Sequence, residues 1–179
     1  ATFDFFSELG WSTGSRDEGI DTNNDGIEES TFSRDLSGFY LTGGATFGAG
    51  NWSVGVEAGY APGELKAEEN TGFVGFNEDY GIGEILHDEG LIKDTNGVNT
   101  SLSNLVFAQV TGSTSFNKWD FFIGGVYFAP VETIRSSYTG KDADAYGFEI
   151  YGNLIYHLTD YLSYTAFYGI AFPDSSFIE

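Results

Sequence analysis

Hydrophobic and polar residues alternate with a period of two along seven stretches of the chain, the pattern of β-strands with two unlike faces. Residues 52–60 set Trp52, Val54, Val56, Ala58 and Tyr60 against Ser53, Gly55, Glu57 and Gly59. Residues 39–47 set Phe39, Leu41, Gly43, Ala45 and Phe47 against Tyr40, Thr42, Gly44 and Thr46. The same alternation runs through residues 3–11 and 162–172, and through 148–158 with one mixed face. Residues 106–116 and 119–129 follow it more loosely. Every charge inside these strands (Asp4, Glu8, Glu57, Asp120, Glu149) falls on the smaller, more polar face, which otherwise carries mostly Gly, Ser, Thr and Asn, and no Lys or Arg.

The connections alternate as well. Gly48-Ala49-Gly50-Asn51, Asn117-Lys118 and Thr159-Asp160-Tyr161 are short turns, whereas residues 12–35, 61–104 and 130–146 read as long acidic loops. Short turns at one end, long loops at the other and aromatics near the strand ends are the layout of a transmembrane β-barrel. A water-soluble sandwich or lipocalin-like barrel would turn its apolar face inward and clothe the other face in Lys and Glu. The pattern therefore predicts an all-β fold: an antiparallel up-and-down transmembrane β-barrel, one domain spanning residues 1–179. In lipid only closure leaves no strand edge unpaired.

Composition narrows the function. The 179 residues include 25 Gly, 17 Phe, 11 Tyr and 3 Trp, with 41% hydrophobic residues, too apolar for a disordered chain. Seven basic against 27 acidic side chains give a formal charge of −20, which excludes nucleic acid as a partner. The absence of Cys excludes disulfides, thiolate chemistry and sulfur-ligated metals. No run of 18 apolar residues marks a membrane helix, and the start without Met reads as a processed or trimmed chain. Four segments, 12–35, 61–104, 130–146 and 173–179, hold 21 of the 27 acids and six of the seven bases. The acidity thus belongs mainly to the loops.

Three sets of residues carry candidate chemistry. Asp21-Thr22-Asn23-Asn24-Asp25-Gly26-Ile27-Glu28-Glu29 matches a calcium loop at positions one, three, five and six, with the Ile27 carbonyl at seven and Glu29 at nine. Phe32 stands where the bidentate Glu belongs, so the Ca²⁺ site predicted on Asp21, Asn23, Asp25, Ile27 and Glu29 is incomplete; the plain alternative is an acidic turn. On the inward face Asp4, Glu8, Glu57, Gln109, Glu149, Asn153 and His157 are the expected pore-lining residues. Their negative lumen favours cations. Inward Phe107, Phe122, Phe128, Ile155 and Phe167 suit an open channel poorly, so the apolar parts of 61–104 are expected to fold against that wall. His157 could pair with Ser163 or Asp160, but the chain is read as a non-enzyme whose His157 hydrogen-bonds within the lumen.

The hairpin from Tyr146 through Asn153, His157 and Asp160 to Ala171-Phe172-Pro173-Asp174 resembles the late strands of Gram-negative outer-membrane porins, especially large barrels of the alginate-export kind. The resemblance covers about the last forty residues. It implies a bacterial outer-membrane location, a lipid-bilayer partner and a water-filled or partly plugged lumen. The chain departs from that family in its seven strands, since single-chain bacterial barrels have an even number, and in ending on Ser176-Phe177-Ile178-Glu179. Either it is part of a larger even-stranded barrel, or it is an eight-stranded barrel with one strand hidden in 61–104. The expected function is a porin passing small hydrophilic, cationic or neutral solutes. The alternative is a scaffold barrel that docks or sheathes a partner protein, with a homo-oligomer or additional barrel strands as further partners.

Overall fold

A computed structural model describes residues 1–20, 30–62, 82, 86, 104–136 and 139–178, with backbone alone for 14–20, 30–37 and 135. Among these residues the chain is all-β. Strands β1 (Thr2–Ile20), β2 (Ser30–Ala49), β3 (Trp52–Ala61), β4 (Leu105–Phe116), β5 (Trp119–Ala129), β8 (Gly147–Thr159) and β9 (Leu162–Pro173) form one antiparallel sheet in that order. The two-residue strands β6 (Ile134–Arg135) and β7 (Asp142–Ala143) pair separately. All seven alternating stretches are strands, each paired with its neighbour in sequence. β1 and β9 are the two edges, and no described strand pairs them with each other.

The ladder continues where loop was expected. β1 and β2 stay in register from Thr2↔Gly48 to Ile20↔Ser30, so 12–20 and 30–35 belong to a long ribbon and not to the acidic loop 12–35. The alternation of apolar residues stops near Trp11 and Phe39, but backbone pairing needs no apolar side chain once a neighbouring strand is fixed. The segment 130–146 likewise contains the β6–β7 pair.

Turn chemistry fixes the short ends. Gly50 takes φ +64° between β2 and β3, and Asn117 takes φ +54° between β4 and β5, conformations that Gly and Asn reach most readily. Small residues on the polar face also receive rings from the next strand. A Cβ on Gly59 would lie 2.1 Å from the Phe107 ring, directly across the ladder. The glycine-rich, aromatic-rich composition thus has a packing reason: each such pair needs one partner with no side chain.

Candidate functional site

The two faces of the sheet have opposite fates. On β3 the polar-face residues Gly55 and Gly59 are buried and Ser53 and Glu57 half-buried, while Trp52, Val54, Val56, Ala58 and Tyr60 are exposed, Val56 by 52%. β5 repeats this, exposing Trp119, Phe121, Ile123 and Tyr127 while burying Gly124, Val126 and Phe128. A water-soluble sheet does the reverse. So continuous an apolar surface far exceeds the scattered patches of soluble monomers.

The exposed face has an internal measure that the period-two reading missed. Aromatic residues recur eight positions apart on six of the seven strands: Phe3 and Trp11, Phe39 and Phe47, Trp52 and Tyr60, Trp119 and Tyr127, Phe148 and Tyr156, Tyr164 and Phe172. Ladder register brings them into two rows. Phe3 faces Phe47, Trp119 faces Tyr156 and Tyr156 faces Tyr164 near the short turns. Trp11 faces Phe39, Tyr127 faces Phe148 and Phe148 faces Phe172 near the long connections. Rings touch along both rows: centroids lie 5.5 Å apart for Phe47–Trp52, 4.5 Å for Trp119–Tyr156 and 4.5 Å for Phe148–Phe172. Eight residues of strand rise about 27 Å, or about 20 Å in height at the usual barrel tilt.

The polar face divides along its length. Toward the long connections it is covered. Phe107, Val126, Phe128 and Tyr151 pack with Ile82 and Leu86 from the 61–104 segment, with Tyr146, and with Phe177 from the C-terminal tail. Glu149, fully buried, accepts the Leu86 backbone N–H at 2.7 Å. Ser136 Oγ donates to the Phe177 carbonyl at 2.5 Å, and Asp174 N–H to the Tyr146 carbonyl at 3.0 Å, so the tail is strapped over this cluster. Ser176 donates to Asp174 through its hydroxyl at 2.6 Å and its backbone N–H at 2.8 Å, and these bonds hold the Asp174 carboxyl below its ordinary value of 3.8.

The expected lumen residues fall into four places, one of them that of the buried Glu149 just described. Asp4 and Glu8 lie exposed on edge strand β1, with the Tyr40 hydroxyl donating to Glu8. Glu57, Gln109 and Tyr151 form a chain at mid-height: Tyr151 donates to Gln109 Oε1 at 2.6 Å and Gln109 Nε2 to Glu57 at 3.4 Å. Asn153 and His157 are half-buried toward the short turns, where His157 hydrogen-bonds Asp120 and Ser163. The structure thus scatters the seven over the whole polar face and puts Glu149 beneath the covered cluster. Sequence reasoning missed the bonding partners Tyr40 and Tyr151, whose rings share the polar face with those acids. The calcium-loop residues Asp21, Asn23, Asp25, Ile27 and Glu29 lie outside the described residues, and among the described residues no three His, Asp or Glu gather as a metal site. Compared with known proteins, the chain matches no family model and no curated protein sequence.

Proposed function

We propose that this chain forms the wall of a bacterial outer-membrane β-barrel channel, passing small hydrophilic solutes, cationic or neutral, across an acidic polar face. The observation that carries the reading is the direction of the faces: the apolar side of the strands is the exposed one, bounded by two aromatic rows about 20 Å apart in height, comparable to the apolar band of about 25 Å on such barrels. Lipid is the solvent in which that face is satisfied. Asp4, Glu8, Glu57 and Asp120 on the other face attract cations and repel anions. Because β1 and β9 both run from the short-turn end to the long-connection end, antiparallel closure takes an odd number of further strands running the other way.

Two measurements test this. Val56 sits midway between Trp52 and Tyr60 on the exposed face, so Val56→Arg is expected to cost about 2–4 kcal/mol of folding stability in lipid vesicles. Ser113→Arg on the polar face is expected to be far milder. A cost for Val56→Arg within about 0.5 kcal/mol, as at an ordinary water-exposed site, overturns the membrane wall. In planar bilayers the folded chain is expected to give cation-selective conductance steps.

A second reading has its own support: a scaffold barrel that docks a partner or further strands. The packed cluster of Leu86, Phe107, Phe128, Tyr146 and Phe177 fills the polar face toward the long connections, and among the described residues no further strand pairs with either sheet edge. Silence in bilayers from a well-folded preparation overturns passage and favours this reading.

A further inference from the structure

At the short-turn end, polar side chains of four adjacent strands join into one hydrogen-bonded chain. Ser115 of β4 bonds the carboxylate of Asp120 on β5. Asp120 Oδ2 lies 2.6 Å from His157 Nε2 on β8, and His157 Nδ1 lies 3.1 Å from Ser163 Oγ on β9. The ladder builds this arrangement. Ser115 faces Asp120, His157 faces Ser163, and His157 stands two residues beyond Ile155, the partner of Asp120. The register slips immediately after His157, a bulge of the kind that re-aims a side chain, and the His157 N–H is held by the Lys118 carbonyl at 2.8 Å. An ionised carboxylate only accepts hydrogen bonds, so the proton of the neutral ring sits on Nε2. Nδ1 then offers its lone pair, and the Ser163 hydroxyl is the donor. This is how a base activates a serine while a carboxylate fixes the tautomer, with the two ring nitrogens in exchanged places.

We propose that Ser163 is an acyl-acceptor serine, activated by His157 as general base and positioned by Asp120, and that its substrates are activated acyl esters. Ser163 is exposed, and the side chains of His157 and Asp120 are 45% and 40% exposed, so a small ester reaches all three from solvent. In the step, Ser163 Oγ bonds the acyl carbon while its proton passes to His157 Nδ1. The carbon–oxygen bond to the leaving alcohol breaks, and the proton on Nδ1 follows that oxygen. The product is acyl-Ser163 and free alcohol. Acylation and hydrolysis of the acyl-serine both pass through a tetrahedral oxyanion; an activated ester has a good leaving alcohol and acyl-Ser163 does not, so the first step is the faster and one acyl group per chain is the expected stoichiometry.

The experiment incubates the folded chain in detergent micelles with p-nitrophenyl acetate and follows nitrophenol release, then locates the acetyl group by peptide mass spectrometry. A burst of one equivalent, with the adduct on Ser163, is expected. Ser163→Ala abolishes it. His157→Asn slows it about 10²-fold or more, and free imidazole restores rate to His157→Gly, a rescue that a merely structural histidine would not give. Asp120→Asn slows the burst and Asp120→Glu recovers part of it, while far-UV circular dichroism stays unchanged through the series. A wild-type burst no larger than that of Ser163→Ala, or acetyl groups spread evenly over exposed serines, overturns the proposal and leaves the chain of bonds as a strap between strands.

Discussion

The two ends of the polar face are made from the same strands yet solve different problems. Toward the long connections, Phe107, Phe128, Tyr146, Leu86 and Phe177 exclude solvent, and Glu149 is held there by a backbone amide. Toward the short turns, Ser53 bonds Ser113, and Ser115, Asp120, His157 and Ser163 bond in a lateral chain, all while staying at least partly open to solvent. One end is stabilised by burial, which is worth kilocalories per side chain. The other is stabilised by exposed hydrogen bonds, which net about 1 kcal/mol each or less. The difference predicts where the molecule is fragile and where it tolerates change.

The largest effect belongs to the packed end. Phe128 is wholly buried, with Val126 on its own strand and Phe107 opposite it in the same cluster. Phe128→Ala is expected to cost about 3–5 kcal/mol. At the other end Ser113→Ala removes only a hydroxyl bonded to Ser53 and is expected to cost about 0.5 kcal/mol or less. Urea midpoints in micelles measure both. Equal costs would mean that the two ends are not differently built.

Glu149 sharpens the comparison, because it is a carboxylate at the apolar end. Glu149→Leu keeps bulk but removes the acceptor for Leu86 N–H, leaving a buried amide unpaired at a cost of about 1–3 kcal/mol. Glu149→Gln keeps an acceptor oxygen and is expected to recover most of that loss. Hydrogen exchange at the Leu86 amide gives the direct readout: faster in the Leu variant, near wild type in the Gln variant. Unchanged exchange in Glu149→Leu would show that the amide does not depend on this carboxylate.

How much of this was legible follows from the same contrast. Period-two alternation located all seven strands of the sheet to within a residue or two at most ends, since a face that must be apolar throughout writes itself into every other position. It stopped short on β1 and β2, because beyond Trp11 and Phe39 the backbone pairing continues while the sequence no longer alternates apolar with polar residues. Phase also assigned Glu149 and His157 to one polar face but not to its two different ends. Height along a strand is not a matter of parity. What does encode height is the eight-residue recurrence of aromatics, a longer period that the alternation hides. The bond from His157 to Asp120 joins residues 37 apart in sequence, and only the β5–β8 register brings them together.

The smallest effect concerns the strap across the packed end. Asp174 is held below its ordinary value first by the Ser176 hydroxyl and then by the Ser176 N–H, with a slight opposing contribution from burial. A carboxyl whose folded value is depressed contributes stability that is fully present above its unfolded value, near 3.8, and is lost as pH falls through the lower folded value. Ser176→Ala removes the hydroxyl and keeps the N–H, so it is expected to cost a few tenths of a kcal/mol at neutral pH, the scale of a solvent-screened contact. That difference from wild type should shrink as pH falls below the ordinary carboxyl range and vanish once Asp174 is protonated in both folded proteins. Urea midpoints at about pH 7 and about pH 2 measure it. A difference that persists undiminished in acid would show that Ser176 secures the tail through packing around Phe177, and that the charge on Asp174 plays no part in holding the packed end closed.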